Sequence, residues 1–107
     1  MISIEKNKGN EYRFILKSES GQTLLSSIAF PNESEVQKSL QTLRNTKNIP
    51  VGFERKTDHE GKFLFNLKDN TGSLIGHSER YTSEAGMENG IKNLQNRIHR
   101  LSDLGEL

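Results

Sequence analysis

The chain has 107 residues, the length of one domain. Apolar side chains make up 31% of it, and with nine glycines the apolar set reaches roughly 39%, short of the customary 45–50%, so the core is thin. Fifteen basic against fourteen acidic residues leave a net charge of +1, without the basic excess of a dedicated nucleic-acid binder, and the lack of cysteine excludes disulfides, thiolate metal ligands and a cysteine nucleophile.

Taken in chain order, Ile4-Glu5-Lys6 opens an extended segment, and Lys8-Gly9-Asn10-Glu11 reads as a hairpin loop. In the next run Tyr12, Phe14 and Leu16 alternate with Arg13, Ile15 and Lys17, the period of a strand with one buried face. Ser18-Glu19-Ser20 then leads to Gly21, where a turn wants a positive φ. A third strand is expected near Thr23–Ile28. Asn32 followed by Glu35 has the pattern of a capping box, and Val36, Leu40 and Leu43 then share a helix face. Lys47-Asn48-Ile49-Pro50 ends that helix.

From Val51 the same order returns. Phe53-Glu54-Arg55 is extended, Asp58-His59-Glu60-Gly61 is a loop, and Phe63, Phe65 and Leu67 keep the parity of Tyr12, Phe14 and Leu16. Asp69-Asn70-Thr71 ends on Gly72, and a third strand follows near Leu74–Glu79. Ser83 is the expected cap of the second helix. There Met87, Ile91, Leu94, Ile98 and Leu101 fall within an arc of about 80°. Glu33 and Glu84 favour the positive end of each helix dipole.

The correspondence is an offset of 51 positions that holds without a gap from Tyr12/Phe63 through Gly21/Gly72, Ser27/Ser78, Phe30/Tyr81 and Leu40/Ile91 to Leu43/Leu94. Upstream, Ile4-Glu5-Lys6 matches Phe53-Glu54-Arg55 only after two residues are dropped, a slip assigned to the hairpin loops. Ser39 and Gly90, small residues at one equivalent place, imply close approach of helix and sheet, since Gly90 costs roughly 1 kcal/mol of helix propensity against alanine. One copy of about fifty residues buries too little surface to be comfortable alone. The expected architecture is therefore α+β: two tandem β-β-β-α units, residues 1–48 and 49–107, forming one antiparallel sheet. Two helices pack on one face, with pseudo-twofold symmetry, in a single domain spanning 1–107.

Gly61-Lys62-Phe63-Leu64-Phe65-Asn66-Leu67-Lys68, with Gly72, Ile75, Ser78, Tyr81-Thr82-Ser83 and Gly90-Ile91, resembles the YegP-like family, small bacterial proteins known as a domain of unknown function. The first copy resembles it more loosely, with Phe30-Pro31 for the tyrosine-threonine step and Ser39-Leu40 for glycine-isoleucine. The resemblance implies a tandem β(3)-α-β fold in which the strand after each helix is exchanged between repeats. Ile49–Lys56 would supply the first of these strands and Leu101–Leu107, poor in β-formers, the second. It brings no established activity.

The residues themselves single out little chemistry. His59 falls in a loop, His77 in a strand and His99 late in a helix, without the convergent spacing of a zinc site. Gly76-His77-Ser78-Glu79 has a histidine, a serine and an acid in a row, but alternate strand residues face opposite ways, so adjacency does not make a triad. Asp58, Glu60, Asp69, Glu79 and Glu84 lack the apolar setting that raises a carboxyl pKa for acid catalysis. Lys92, Arg97, His99 and Arg100 form a small basic patch on the second helix. No run approaches the roughly 20 apolar residues of a membrane span, and Met1–Lys6 lacks a leader's apolar stretch.

These readings add up to a non-enzymatic cytoplasmic module that binds a protein partner or itself. Its natural contact surface is an exposed sheet face or edge. No catalytic, cofactor-binding or metal-ligating residue is assigned, and no cofactor. The alternative is a nucleic-acid or ribosome-associated protein using the basic patch of the second helix.

Overall fold

The computed structural model describes residues 2–44, 52–69 and 71–104, with side chains as far as Leu43 and Arg100 in the two helices. Its elements run β1 (Ile2–Lys6), β2 (Tyr12–Lys17), β3 (Thr23–Ser27), α1 (Glu33–Arg44), β4 (Gly52–Thr57), β5 (Phe63–Lys68), β6 (Leu74–His77) and α2 (Glu84–Leu104). The strands form one six-stranded antiparallel sheet in the order β1-β2-β3-β6-β5-β4. This is the expected α+β fold.

Alternation decides which side of the sheet is dry. Phe14, Leu16, Phe65 and Leu67 are fully buried, while Arg13, Ile15, Asn66 and Lys68 between them are only partly covered. The buried set joins Leu24, Leu25 and Ile75 with Val36, Leu40 and Leu43 of α1 and Met87, Ile91, Leu94 and Ile98 of α2 in a single cluster. Both helices therefore cover the same face, and the core runs unbroken across the β3–β6 seam. No described helix is long and apolar enough to cross a membrane.

The helix starts follow the capping chemistry read from the sequence. Asn32 Oδ1 accepts from the Glu35 amide at 2.9 Å, and Ser83 Oγ from the Gly86 amide at 3.0 Å. Gly21 and Gly72 take φ of 88° and 86° in the β2–β3 and β5–β6 turns.

Gly90 meets a specific neighbour. A Cβ there would lie 2.3 Å from the Tyr81 hydroxyl oxygen, whose ring stacks on Phe65 at 6.5 Å. At the positions 51 residues earlier, Phe30 stacks on Phe14 at the same 6.5 Å and lacks the hydroxyl, and the helix there carries Ser39. The tyrosine oxygen, buried without a hydrogen-bond partner, occupies the space a side chain at 90 would need.

Three expectations are corrected. The two-residue slip before the hairpins is absent: β1 pairs Ile2 with Leu16 and β4 pairs Phe53 with Leu67, so the offset of 51 continues through both first strands. The loops show why. Asn7 Oδ1 accepts from the amides of Gly9 and Glu11, and Asp58 Oδ1 from those of Glu60 and Lys62. Positive φ follows at Asn10 (60°) and Gly61 (81°). The same Asx-headed turn closes both hairpins.

Second, the third strands stop at Ser27 and His77, so Ile28 and Glu79, expected at their ends, lie beyond the ladder. Third, the strand that the resemblance implies after α2 does not form at Leu101–Leu104. These residues continue α2, and 105–107 lie outside the described residues, as do 45–51. The strand after α1 is β4, which pairs with β5 in a hairpin at the far sheet edge.

Candidate functional site

The run His77-Ser78-Glu79 lines an open cleft of about 450 Å³ with Asp58, His59, Glu60, Leu64 and Arg80, which brings two imidazoles together with three carboxylates. Its groups are already committed. Ser78 Oγ accepts from the Phe65 amide at 2.9 Å and donates to the Glu79 carbonyl at 2.7 Å. Arg80 bridges Asp58 and Glu60, 3.1 Å from each. The backbone amide of Lys62, with that of Glu60 and the Arg80 charge, holds the Asp58 carboxyl below its ordinary range, the reverse of what a general acid needs. His59 is 91% exposed in its loop, His77 is exposed at the end of β6, and His99 is exposed on α2. His59 and His77 share this cleft while His99 lies apart on α2, and among the described residues no three metal-ligating side chains come together. Arg80 and the cleft itself were missed from sequence, because only the folded hairpin brings Arg80 beside Asp58.

The Asp58 turn gives a pH test. A folded-state pKa below the ordinary 3.8 of a free aspartate means a stability contribution present above that value and lost as pH falls through the folded one. Asp58→Asn installs the chemistry of Asn7. It should lower the melting temperature near pH 7 by about the amount the wild type loses in acid, and flatten the loss of stability below about pH 4, so that the two proteins converge there. Melts of both proteins from pH 7 to pH 2 with superimposable curves would refute this.

Folding divides the basic patch on α2: Lys92, His99 and Arg100 stay exposed and Arg97 does not. Arg97 is only 7% exposed and donates its Nε to the Lys17 carbonyl at 3.1 Å, tying α2 to the end of β2. Arg100 pairs with Glu19 in the β2–β3 turn. A helical wheel places Arg97 beside Ile98 and Leu94 but cannot say that a carbonyl waits there.

What remains is the sheet face opposite the helices. Strand register lines up Ser3, Ile15, Ser26, His77, Asn66 and Glu54 as one row across all six strands. Arg13 stands opposite Glu5 on one flank. On the other, Glu54 accepts from Asn66 at 3.1 Å and lies 3.1 Å from Lys68 and 3.5 Å from Lys56. The Asn66 amide first, then Lys68, holds the Glu54 carboxyl low. The surface is mixed in charge, with Ile15 and Leu64 half-buried in it.

Comparison with known proteins agrees with this architecture. Residues 58–98 match the domain of unknown function DUF1508. The chain is similar to the UPF0339 protein YegP of Escherichia coli K12, 32% identical over 88% of this chain and 86% of that protein. It is similar as well to the UPF0339 protein in the ptx operon 5′ region of Stutzerimonas stutzeri, 32% identical over 89% and 86%. The solution NMR structure of Escherichia coli yegP, described as of unknown function, superposes with a TM-score of 0.79 at 29% identity, covering 92% of this chain and 84% of that one. A UPF0339 protein from Shewanella oneidensis gives 0.82 at 25% identity, covering 91% and 82%.

Proposed function

We propose that this chain, which belongs to the UPF0339 family of YegP-like proteins, is a non-catalytic cytoplasmic module that binds protein through the uncovered side of its sheet and the sheet edges. The observation that carries this is one-sided coverage: both helices lie over the Phe14/Phe65 face, and among the described residues no layer lies over the row from Ser3 to Glu54. A broad, mixed-charge strand surface suits protein contact better than a phosphate backbone, which wants an unpaired basic stripe. A catalytic role draws no support from Ser78 or Asp58, whose polar atoms are spent on the fold. The cytoplasmic assignment rests on a fold held without cysteine.

The module is, in this reading, one β-β-β-α unit written twice, as residues 1–48 and 49–107, about a pseudo-twofold axis through the β3–β6 seam. Support comes from the shared offset of 51, the matching Asx turns, the matching ring stacks and the antiparallel pairing of Ser26 with His77. The test is a photo-crosslinking residue placed at Ile15 or His77, on the uncovered face, and at Gln41 or Lys92, exposed on the helices. Discrete adducts in bacterial cells are expected from the first pair alone. Adducts from the helix positions only, or from none, would overturn the reading.

A further inference from the structure

The two sheet edges, β1 and β4, occupy matching places but are finished differently. Tyr12 exchanges both backbone hydrogen bonds with Phe30, so its peptide groups point toward β3. Antiparallel alternation then turns those of Arg13 and Ile15 toward Glu5 and Ser3 of β1, and leaves the amides and carbonyls of Ile2, Ile4 and Lys6 facing outward. Phe63 makes the same exchange with Tyr81, which leaves Phe53, Arg55 and Thr57 outward on β4.

The side chain at the middle of each edge differs. On β4 it is Arg55, forked onto Glu88 of α2 at 2.5 and 2.9 Å. On β1 it is Ile4, 41% exposed and one of two large apolar side chains left open among the described residues. Natural sheets guard edges with charge. β4 is guarded at its centre, and β1 is not.

From this we infer that β1 is the docking edge for a second copy of the chain, the two sheets joining antiparallel about a twofold axis at Ile4. The partner is named within the binding-module reading of the preceding section, on which this rests. Register is set by chemistry. Centred on Ile4, the pairing sets Ile4 against Ile4 and Ser3 against Glu5, and lays the Lys6 stem along Ile2. Every outward peptide group of β1 then finds a partner. Shifted one way, the two Glu5 carboxylates face each other; shifted the other way, Lys6 loses its partner. The matching arrangement at β4 would set two Arg55 guanidiniums face to face, so association stops at two. A five-residue strand offers far less than the roughly 1,600 Å² of a standard stable interface, so the dimer is weak, half-formed at a concentration on the order of hundreds of micromolar.

Sedimentation equilibrium from about 10 µM to about 1 mM, paired with amide hydrogen exchange, tests it. The average mass should climb toward twice that of the protomer. The amides of Ile2, Ile4 and Lys6 should exchange about threefold more slowly at the high end, and those of Phe53 and Arg55 equally at both. Ile4→Lys, at an exposed position, should keep the melting temperature and weaken the dimer at least about tenfold. A mass independent of concentration with unprotected β1 amides overturns the inference, while the crosslinks from Ile15 and His77 still judge the binding module separately. Mass growing past two copies, with protection at β4, would show head-to-tail β1–β4 pairing and overturn it equally.

Discussion

Gly76→Val should destabilise the chain by about 3 kcal/mol or more, enough on a total of roughly 5–15 kcal/mol to unfold a large fraction of it on mild warming. The reason lies at the seam. Gly76 pairs with Ser27, and a Cβ built on it would sit 2.5 Å from the Ser26 carbonyl oxygen and 2.9 Å from the Ser27 Cα. These are backbone atoms of the neighbouring strand, so no side chain can swing away, and the strand itself has to retreat. Retreat is costly because the halves are joined narrowly: Ser26 with His77, Ser27 with Gly76, and the Ile28 amide donating to the Ile75 carbonyl at 3.0 Å. Gly76→Ala should show the same effect at reduced size. Gly52, in edge strand β4, is the control. Nothing lies within 4 Å of its would-be Cβ, so Gly52→Ala should be neutral or stabilise by up to about 1 kcal/mol. Urea denaturation of the three variants decides it: a Gly76→Val midpoint equal to that of Gly52→Ala would mean the seam is not closely packed.

Which parts of this were legible in the sequence follows from how local the physics is. Strand parity at Phe14, Leu16, Phe65 and Leu67, the caps at Asn32 and Ser83, and the turn glycines 21 and 72 are fixed by neighbours a few residues away, and all appear where expected. The slip before the hairpins arose from matching Ile4-Glu5-Lys6 to Phe53-Glu54-Arg55 by hydropathy and charge. The decisive signal was a side-chain acceptor at Asn7 and Asp58 with a left-handed residue three positions on, Asn10 and Gly61, which carries no hydropathy pattern. Gly76 drew attention only as the start of the His-Ser-Glu run. Its steric role depends on a strand roughly fifty residues away in sequence, which no local window contains. Arg97 is the same case at longer range, since Lys17 lies at the far end of the other half. The open sheet face and the difference between the two edges became visible only once strand order was known, because β1 and β4 look equally suited to the middle of a sheet.

Ser27→Ala combined with Ser78→Ala should cost about 4 kcal/mol, about 2 from each, since each leaves a buried amide unsatisfied. Both hydroxyls are nearly inaccessible, at 2% and 6% exposure. Ser27 Oγ accepts from the Phe14 amide at 2.9 Å and donates to the Ile28 carbonyl at 2.8 Å; Ser78 Oγ does the same between Phe65 and Glu79 at 2.9 and 2.7 Å. Each hydroxyl stands in for a ladder partner where the third strand peels away from the second, at the moment the chain turns toward Phe30 or Tyr81. Alanine removes the acceptor and is too small to let water in, so the amides of Phe14 and Phe65, residues with no exposed surface, lose their partners in a dry core. The two networks share no partner and should add within about 0.5 kcal/mol. Ser26→Ala, one residue away on the uncovered face, should move stability by no more than about 0.5 kcal/mol. Equal costs for Ser27→Ala and Ser78→Ala in urea denaturation would support two copies of one unit. A cost no larger than that of Ser26→Ala would show instead that the peeling strand needs no side-chain acceptor, and that the two serines face each other across the offset of 51 for some other reason.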